Sequence, residues 1–213
     1  MAVYLREFAT QADYEAAESG LILPNVSLIA DNNTMHYSPY DPYNGHNYVD
    51  LGLPSGTKWA TMNVGANSES DYGNWYKYGL GASPYKNGQT DYTGTEDPLA
   101  TSADTATQVW GGPWHMPTKA QLDELTANTT YRLANINGVY GGKYIASNDN
   151  YIFIPFAGHW YFGSHLSEGT KGYVWSSSPS DGSNAFLLNS NNGGKSVKND
   201  VRYIGGSVRP VVG

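Results

Sequence analysis

From Tyr48 onward the chain is interrupted every few residues by clusters of Gly, Asn, Ser and Pro. Such punctuation leaves room for short strands and turns and for very little helix. One segment carries a good helix start. Thr118 follows Pro117 and precedes Gln121 by three residues, a capping box, and Leu122 and Leu125 then share one helical face. Strand-sized runs lie at residues 151–156, 173–178 and 185–190, with another beginning at Ser196-Val197 and a last one over residues 207–211. Residues 75–78 read as a strand with alternating faces. Residues 80–106 show no period and read as long surface loops. With 213 residues, 14% of them aromatic, the chain has enough apolar surface to build a core without staples. These features predict a mostly β, α+β domain of short antiparallel strands and long loops with one or two helices.

The first 47 residues read as a separate attachment segment. Thr10 and Asp13 form a loose capping box for a short helix over residues 11–19. Residues 25–30 and 34–37, joined by an Asx-rich turn, read as a hairpin. This piece is too small for its own core, and Pro, Gly and Tyr residues link it to the domain at 48–213. The N-terminal residues show no basic stretch followed by an apolar one, so no secretory signal is read there. No apolar run approaches membrane-spanning length.

Chemistry is constrained by what the side chains lack. The chain has no cysteine, which excludes disulfides, thiolate metal sites and a cysteine nucleophile. The net charge of -7 argues against nucleic acid and anionic membranes. The histidines at 36, 46, 115, 159 and 165 show no metal-ligand spacing, although His159 and His165 are close enough to meet across a turn. Acidic neighbours such as Glu96-Asp97 and Asp123-Glu124 read as a loop and a helix face. A distant carboxylate pair suited to glycoside hydrolysis stays open at this level. Ser176-Ser177-Ser178 lacks the Gly-x-Ser-x-Gly context of a nucleophile elbow and reads as strand. No cofactor or metal is expected.

Several motifs carry a resemblance. Residues 48–60 (YVDLGLPSGTKWA), Asn63-Val64-Gly65-Ala66 and Asp71-Tyr72-Gly73 resemble the opening of a C-type-lectin-fold domain found in gut bacterial surface proteins and their phages. Residues 112–118, with Leu122 and Leu125, resemble its Trp-Arg-Met-Pro-Thr helix entry, with His115 where Arg is commoner. Residues 175–178 and 207–211 resemble its last two motifs. The resemblance spans about residues 48–213 and places Trp59, Trp114 and Trp175 in the scaffold. The fold is shared with formylglycine-generating enzymes, whose active site needs the cysteine this chain lacks. Calcium-dependent lectins of the fold use tripeptides that do not occur here. The variable proteins of diversity-generating retroelements are more similar. Their variable segment is framed by Trp-Ser-Ser-Ser and Ser-Val-Arg-Pro-Val and is dense in Asn, Ser, Asp, Gly, Tyr, Phe, Ile and Leu. Here that region is about residues 175–213. The N-terminal segment resembles, over shorter stretches, the leading part of phage virion proteins.

The resemblance implies a non-enzymatic binding protein. Its diversifiable surface would hold a protein or glycan receptor on a host cell, and its N-terminal segment would attach it to a virion or to another subunit, with a homo-oligomer open. The alternatives are a bacterial surface adhesin of the same fold, at a pilus tip or on a lipoprotein, and a glycan-active enzyme. Apolar anchors of the surface are read as Phe186, Leu188, Tyr203 and Ile204. Its polar part is Ser180, Asp181, Ser183, Asn184, Ser190, Asn192, Asn199 and Asp200, with Gly206 beside them. Along the strand, Phe186, Leu188 and Ser190 share one face and Ala185, Leu187 and Asn189 the other; the first set is taken to face outward. Ordinary turn chemistry is the competing account of the Asn/Ser/Gly loops. Trp160-Tyr161-Phe162, after Gly158-His159, cannot all be buried in a Gly-flanked turn, and Trp160 and Tyr161 are assigned to the surface.

Overall fold

The computed structural model describes residues 43–213 together with the backbone of three short strands before them, and the helix expected over residues 11–19 lies outside the described residues. The chain divides into two compact units, Met1–Gly45 and His46–Gly213, two residues before the boundary read from the sequence. In the first unit, β1 (Glu7–Phe8), β2 (Ser27–Asp31) and β3 (Thr34–Ser38) form a sheet in the order β1-β3-β2. β2 and β3 pair antiparallel, with Asp31 opposite Thr34 and Ser27 opposite Ser38.

The second unit is α+β. It opens with β4 (Tyr48–Asp50) and β5 (Lys58–Ala60) and passes through loops to two helices, α1 (Thr105–Trp110) and α2 (Lys119–Asn128). A meander follows, β6 (Thr130–Ile136), β7 (Val139–Ile145) and β8 (Tyr151–Pro155), with β7 in the middle. Next come β9 (Ala157–Tyr161), β10 (Ser164–Glu168), β11 (Lys171–Pro179), β12 (Asn184–Asn191) and β13 (Gly194–Val201), in the order β10-β9-β11-β12-β13. This sheet is mixed, because β9 meets β11 in parallel at Gly158 and Gly172. The last strand, β14 (Val211–Val212), returns to pair with β5, Val211 lying opposite Trp59. Start and end of the unit are thus hydrogen-bonded to each other.

α2 forms where the capping box predicts. The Thr118 side chain accepts from the Gln121 amide, and the Gln121 side chain accepts from the Thr118 amide at 2.9 Å. The helix buries Leu122 and Leu125 against Val174 of β11, Leu188 of β12, Ile152 and Ile154 of β8, and Trp59 and Val211 of the terminal sheet. α1 was not legible as a helix. It is only six residues long and begins inside the segment read as loop, with Asp104 as its N-cap.

Two expectations need correction. Residues 75–78 do not alternate: Tyr76, Lys77 and Tyr78 are all buried, and only Tyr76 makes bridges, to Pro84 and Gly206. The outward assignment of the Phe186 face is also wrong. β12 is an interior strand, and α2 covers the face carrying Phe186, Leu188 and Ser190. Leu188 and Ser190 are fully buried, and Phe186 is half-buried with the Lys119 ammonium 5.2 Å from its ring centre. The opposite face, with Ala185 and Leu187, is buried as well. A strand covered on both sides leaves the period-2 rule nothing to discriminate.

A buried cation ties the strands together. The Arg209 guanidinium is completely enclosed and donates to Asn63 Oδ1 (2.9 Å), Ala60 O (3.0 Å) and Phe153 O (2.7 Å). It therefore joins β5, β8 and the loop after β5. Burial pulls its pKa down to about 9, so it stays charged at neutral pH.

Candidate binding surface

The β9–β10 hairpin turns through two residues, Phe162 and Gly163, with Tyr161 paired opposite Ser164. Both turn residues have positive φ, 45° and 80°. A two-residue turn of this kind favours Asn-Gly, because both positions lie in the left-handed region. The β6–β7 hairpin follows that rule with Asn137 (φ 53°) and Gly138 (φ 86°). The β9–β10 turn breaks it by placing Phe where Asn fits better. The Phe162 ring is also 65% exposed, the highest among the exposed large hydrophobic side chains. Strain of this kind persists where the surrounding structure holds it, and it concentrates at functional positions.

What holds the hairpin is an aromatic buttress. Trp160 stacks on His165, its cross-strand partner, at 4.9 Å, and on Tyr85 at 5.9 Å. Trp75 meets both Trp160 and His165 edge-on. The Trp75 indole and His165 Nε2 both donate to the Ala157 carbonyl. Tyr85 Oη accepts from the Gly163 amide at 3.2 Å. Behind the hairpin, Gly205 exchanges backbone bonds with Trp160, and Gly206 exchanges them with Tyr76. A Cβ on Gly205 would sit 2.8 Å from the Tyr85 ring, and one on Gly206 2.9 Å from the Trp175 indole nitrogen, so both positions need glycine.

On this frame three rings converge. Tyr203 lies 5.7 Å from Tyr161 and 5.2 Å from Phe162, and Tyr161 and Phe162 meet edge-on at 4.7 Å. The Tyr203 hydroxyl hydrogen-bonds that of Tyr161, which, with partial burial and the charges of Asp200 and Asp91, raises its pKa. Leu166, on the same hairpin face as Tyr161, is also exposed.

The polar residues read from the sequence divide into three groups. Ser180, Asp181, Ser183, Asn184 and Asn199 gather at one end of β12. Asp181 Oδ1 accepts from the amides of Ser183 and Asn184, its carboxylate binds the Asn184 amide group, and Asn199 donates to Ser180. The hydrogen bonds from Asn184, Ser183 and the Asn184 amide hold the Asp181 pKa below the ordinary carboxylate value. Turn chemistry thus uses much of this group. Arg202 anchors it beside Tyr203 by donating to the carbonyls of Asn184, Asp181, Tyr92 and Gly94. Asp200 lies at the same end, opposite Ala185. Asn192, in the β12–β13 turn, sits at the far end, about 25 Å away for a strand of this length. Ser190, Leu188, Ile204 and Gly206 are buried and leave the surface altogether. Ile204 packs inward: its amide donates to the Val201 carbonyl, and the next residue, Gly205, is tied to Trp160 by two backbone bonds.

Comparison of the chain with protein-family models, with curated proteins and with solved structures found no match. The site is therefore defined by its own geometry: Tyr161, Phe162 and Tyr203 as the platform, Trp160 beneath it, and the 180–184 turn, held by Arg202, with Asp200 beside it, while Asn199 lies on the other sheet face with Phe186. Phe162 was absent from the residues assigned to the surface, although its neighbours were included. The available signal was the dipeptide Phe-Gly between two strand-sized runs, where a turn residue is expected.

His159 lies behind Tyr161 on the same face, its ring 4.5 Å from that of Tyr173. It does not meet His165 as a metal pair, since the two side chains lie on opposite faces of the hairpin. Its Nδ1 is buried and has no partner. Burial lowers its pKa below the ordinary 6.5, with Lys198 and Lys171 acting the same way against Asp200. The unfolded chain then takes up this proton more readily than the folded one. The associated stability is complete above pH 6.5 and is lost as pH falls through the folded pKa. Thermal melts between pH 7 and 5 should show a declining midpoint, and His159→Gln should flatten that decline. An equal slope in both proteins would assign the effect elsewhere.

Proposed function

We propose that this chain is a non-enzymatic receptor-binding protein of the C-type lectin fold, and that the Tyr161–Phe162–Tyr203 platform is the centre of its binding surface. One observation carries the reading: a bulky aromatic residue stands exposed in the left-handed region at a hairpin tip, against both turn preference and solvation, on a braced frame. Folding gains little from this arrangement, whereas a partner gains a preorganised apolar anchor. Tyr and Phe give large contact area at low rotamer cost, and the adjoining Ser, Asn and Asp side chains supply adaptable hydrogen bonds. The fold assignment is supported by where the resembling motifs fall. Trp59, Trp114, Trp175 and Arg209 are all buried, and the terminal strands β5 and β14 close on each other.

The wider setting follows from the resemblance. The platform lies on β9–β10 and on the segment after β13, so part of it falls within the framed region 175–213 and part precedes it. Attachment to a virion through the Met1–Gly45 unit is the setting we favour, with display on a bacterial surface as the alternative. Several copies would raise a modest single-site affinity.

The test is adhesion of labelled protein to gut bacterial isolates. A Tyr161→Ala/Tyr203→Ala protein should bind on the order of tenfold or more weaker, because central aromatic anchors dominate such interfaces. Its melting temperature should move by only a few degrees, since the rings lie at the surface. Undiminished adhesion of the double variant would remove the platform from the binding surface.

A further inference from the structure

The chain's own cations show a preference for ring faces. Among the described residues, six cation–ring contacts cover Tyr48, Tyr78, Tyr144, Tyr151, Tyr173 and Phe186. None of the six involves Tyr161, Phe162 or Tyr203, although Phe162 and Tyr161 are among the most exposed aromatic side chains. The cations beside the platform are committed elsewhere. Lys77 is buried and donates to Asp91 and to the Gln89 carbonyl. Lys198 is shared between Asp200 and the Tyr173 ring. Arg202 is enclosed by four carbonyls.

Acidic groups complete the setting. Asp200 stands three residues before Tyr203 at the end of β13, and Asp91 immediately precedes Tyr92, whose carbonyl accepts from Arg202 next to Tyr203. Lys77 holds Asp91 through Oδ1 while the Asp91 side chain stays 48% exposed. The whole chain carries a net charge of -7, which attracts cationic partners at long range. Electron-rich ring faces without a cation, beside an accessible carboxylate on an acidic protein, are complementary to a positive group that is only weakly hydrated.

We propose that the platform receives a guanidinium or ammonium group, presented by an arginine- or lysine-bearing segment of a polypeptide receptor. The cation lies over the faces of Phe162 and Tyr203 with the Asp91 carboxylate at its edge. This rests on the platform being the binding surface and adds the chemistry of what it binds. The preference is for arginine, whose flat guanidinium stacks on a ring and still presents its N–H groups to a carboxylate.

The probe is a blocked Gly-Arg-Gly-Arg-Gly peptide, compared with the same peptide carrying citrulline for arginine. Citrulline keeps the shape and removes the charge, so no change to the protein is needed. Binding is read from the ring-proton NMR shifts of the platform residues. The arginine peptide should bind on the order of tenfold more tightly than its citrulline counterpart. It should weaken as salt is raised, and weaken several-fold on Phe162→Ala and on Asp91→Asn. Equal binding of the two peptides would overturn the proposal. So would binding of neither by a protein that still adheres to cells through Tyr161 and Tyr203; a neutral glycan would then be the ligand, and Asp91→Asn would leave adhesion unchanged. If adhesion itself survives the loss of Tyr161 and Tyr203, the platform reading fails, and this proposal fails with it.

Discussion

Arg209→Lys will destabilise the protein by about 3–5 kcal/mol, the usual size of the effect when a buried charge loses its compensating bonds. The guanidinium reaches three acceptors on three separate segments, Asn63, Ala60 and Phe153, in a fully buried position. An ammonium is a compact head on a flexible stem and cannot span that fork. It keeps the charge in the core and strands at least one acceptor, each stranded group costing about 1–3 kcal/mol. Arg209→Met also strands the acceptors but removes the buried charge, so its effect should be smaller than that of Lys. For a chain of this size, about 4 kcal/mol corresponds to a drop of roughly 8–16 °C in melting temperature. Thermal and urea unfolding of both variants will measure this. A Lys variant melting within two or three degrees of the parent would show that the three bonds are not what joins β5 to β8.

Phe162→Asn will act on stability and binding in different directions. Asparagine suits the first position of a two-residue turn, and relief of a left-handed non-glycine residue is worth about 1 kcal/mol. Against this stands the loss of ring contacts with Tyr161 and Tyr203, about 0.5–1.5 kcal/mol for a well-packed pair and less for a ring this exposed. The balance leaves the melting temperature unchanged or slightly raised. Adhesion to cells should nevertheless fall by on the order of tenfold or more, because the projecting anchor is gone. The Asn137-Gly138 turn serves as the internal control for the substitution, since it already has the sequence the variant would create. A large fall in melting temperature would mean that Phe162 is held for folding. Unaltered adhesion would mean that its exposure has no bearing on binding.

Much of the local structure was legible because its causes are local. The Thr118–Gln121 capping box starts α2, and Leu122 and Leu125 bury as their spacing requires. Gly, Asn and Pro clusters located strands β8, β11, β12 and β13 to within two or three residues. Tyr161 and Tyr203 were assigned to the surface, and the structure brings their rings together from segments forty residues apart in the sequence. The errors share one cause. Leu188 and Ser190 were judged one strand at a time, and Ile204 and Gly206 as a loop or strand end, yet burial depends on what packs against each segment from elsewhere in the fold. α2 lies over one face of β12, while the opposite face is closed as well, and no count along residues 184–191 contains that information.

By itself the sequence determined where strands β8, β11, β12 and β13 lie, where the well-capped helix begins, which chemistries the missing cysteines forbid, and that three consecutive aromatic side chains in a Gly-flanked turn cannot all be buried. Those are properties of short windows, settled by backbone preference and side-chain size. Only the tertiary structure decided which aromatic rings remain outside. Trp160 is half-buried because Tyr85, Trp75 and His165 close around it, whereas Phe162 is exposed because a two-residue turn projects it with only the Tyr161 and Tyr203 rings against it. Exposure is set by packing among segments distant in sequence, and it becomes fixed only when those segments meet.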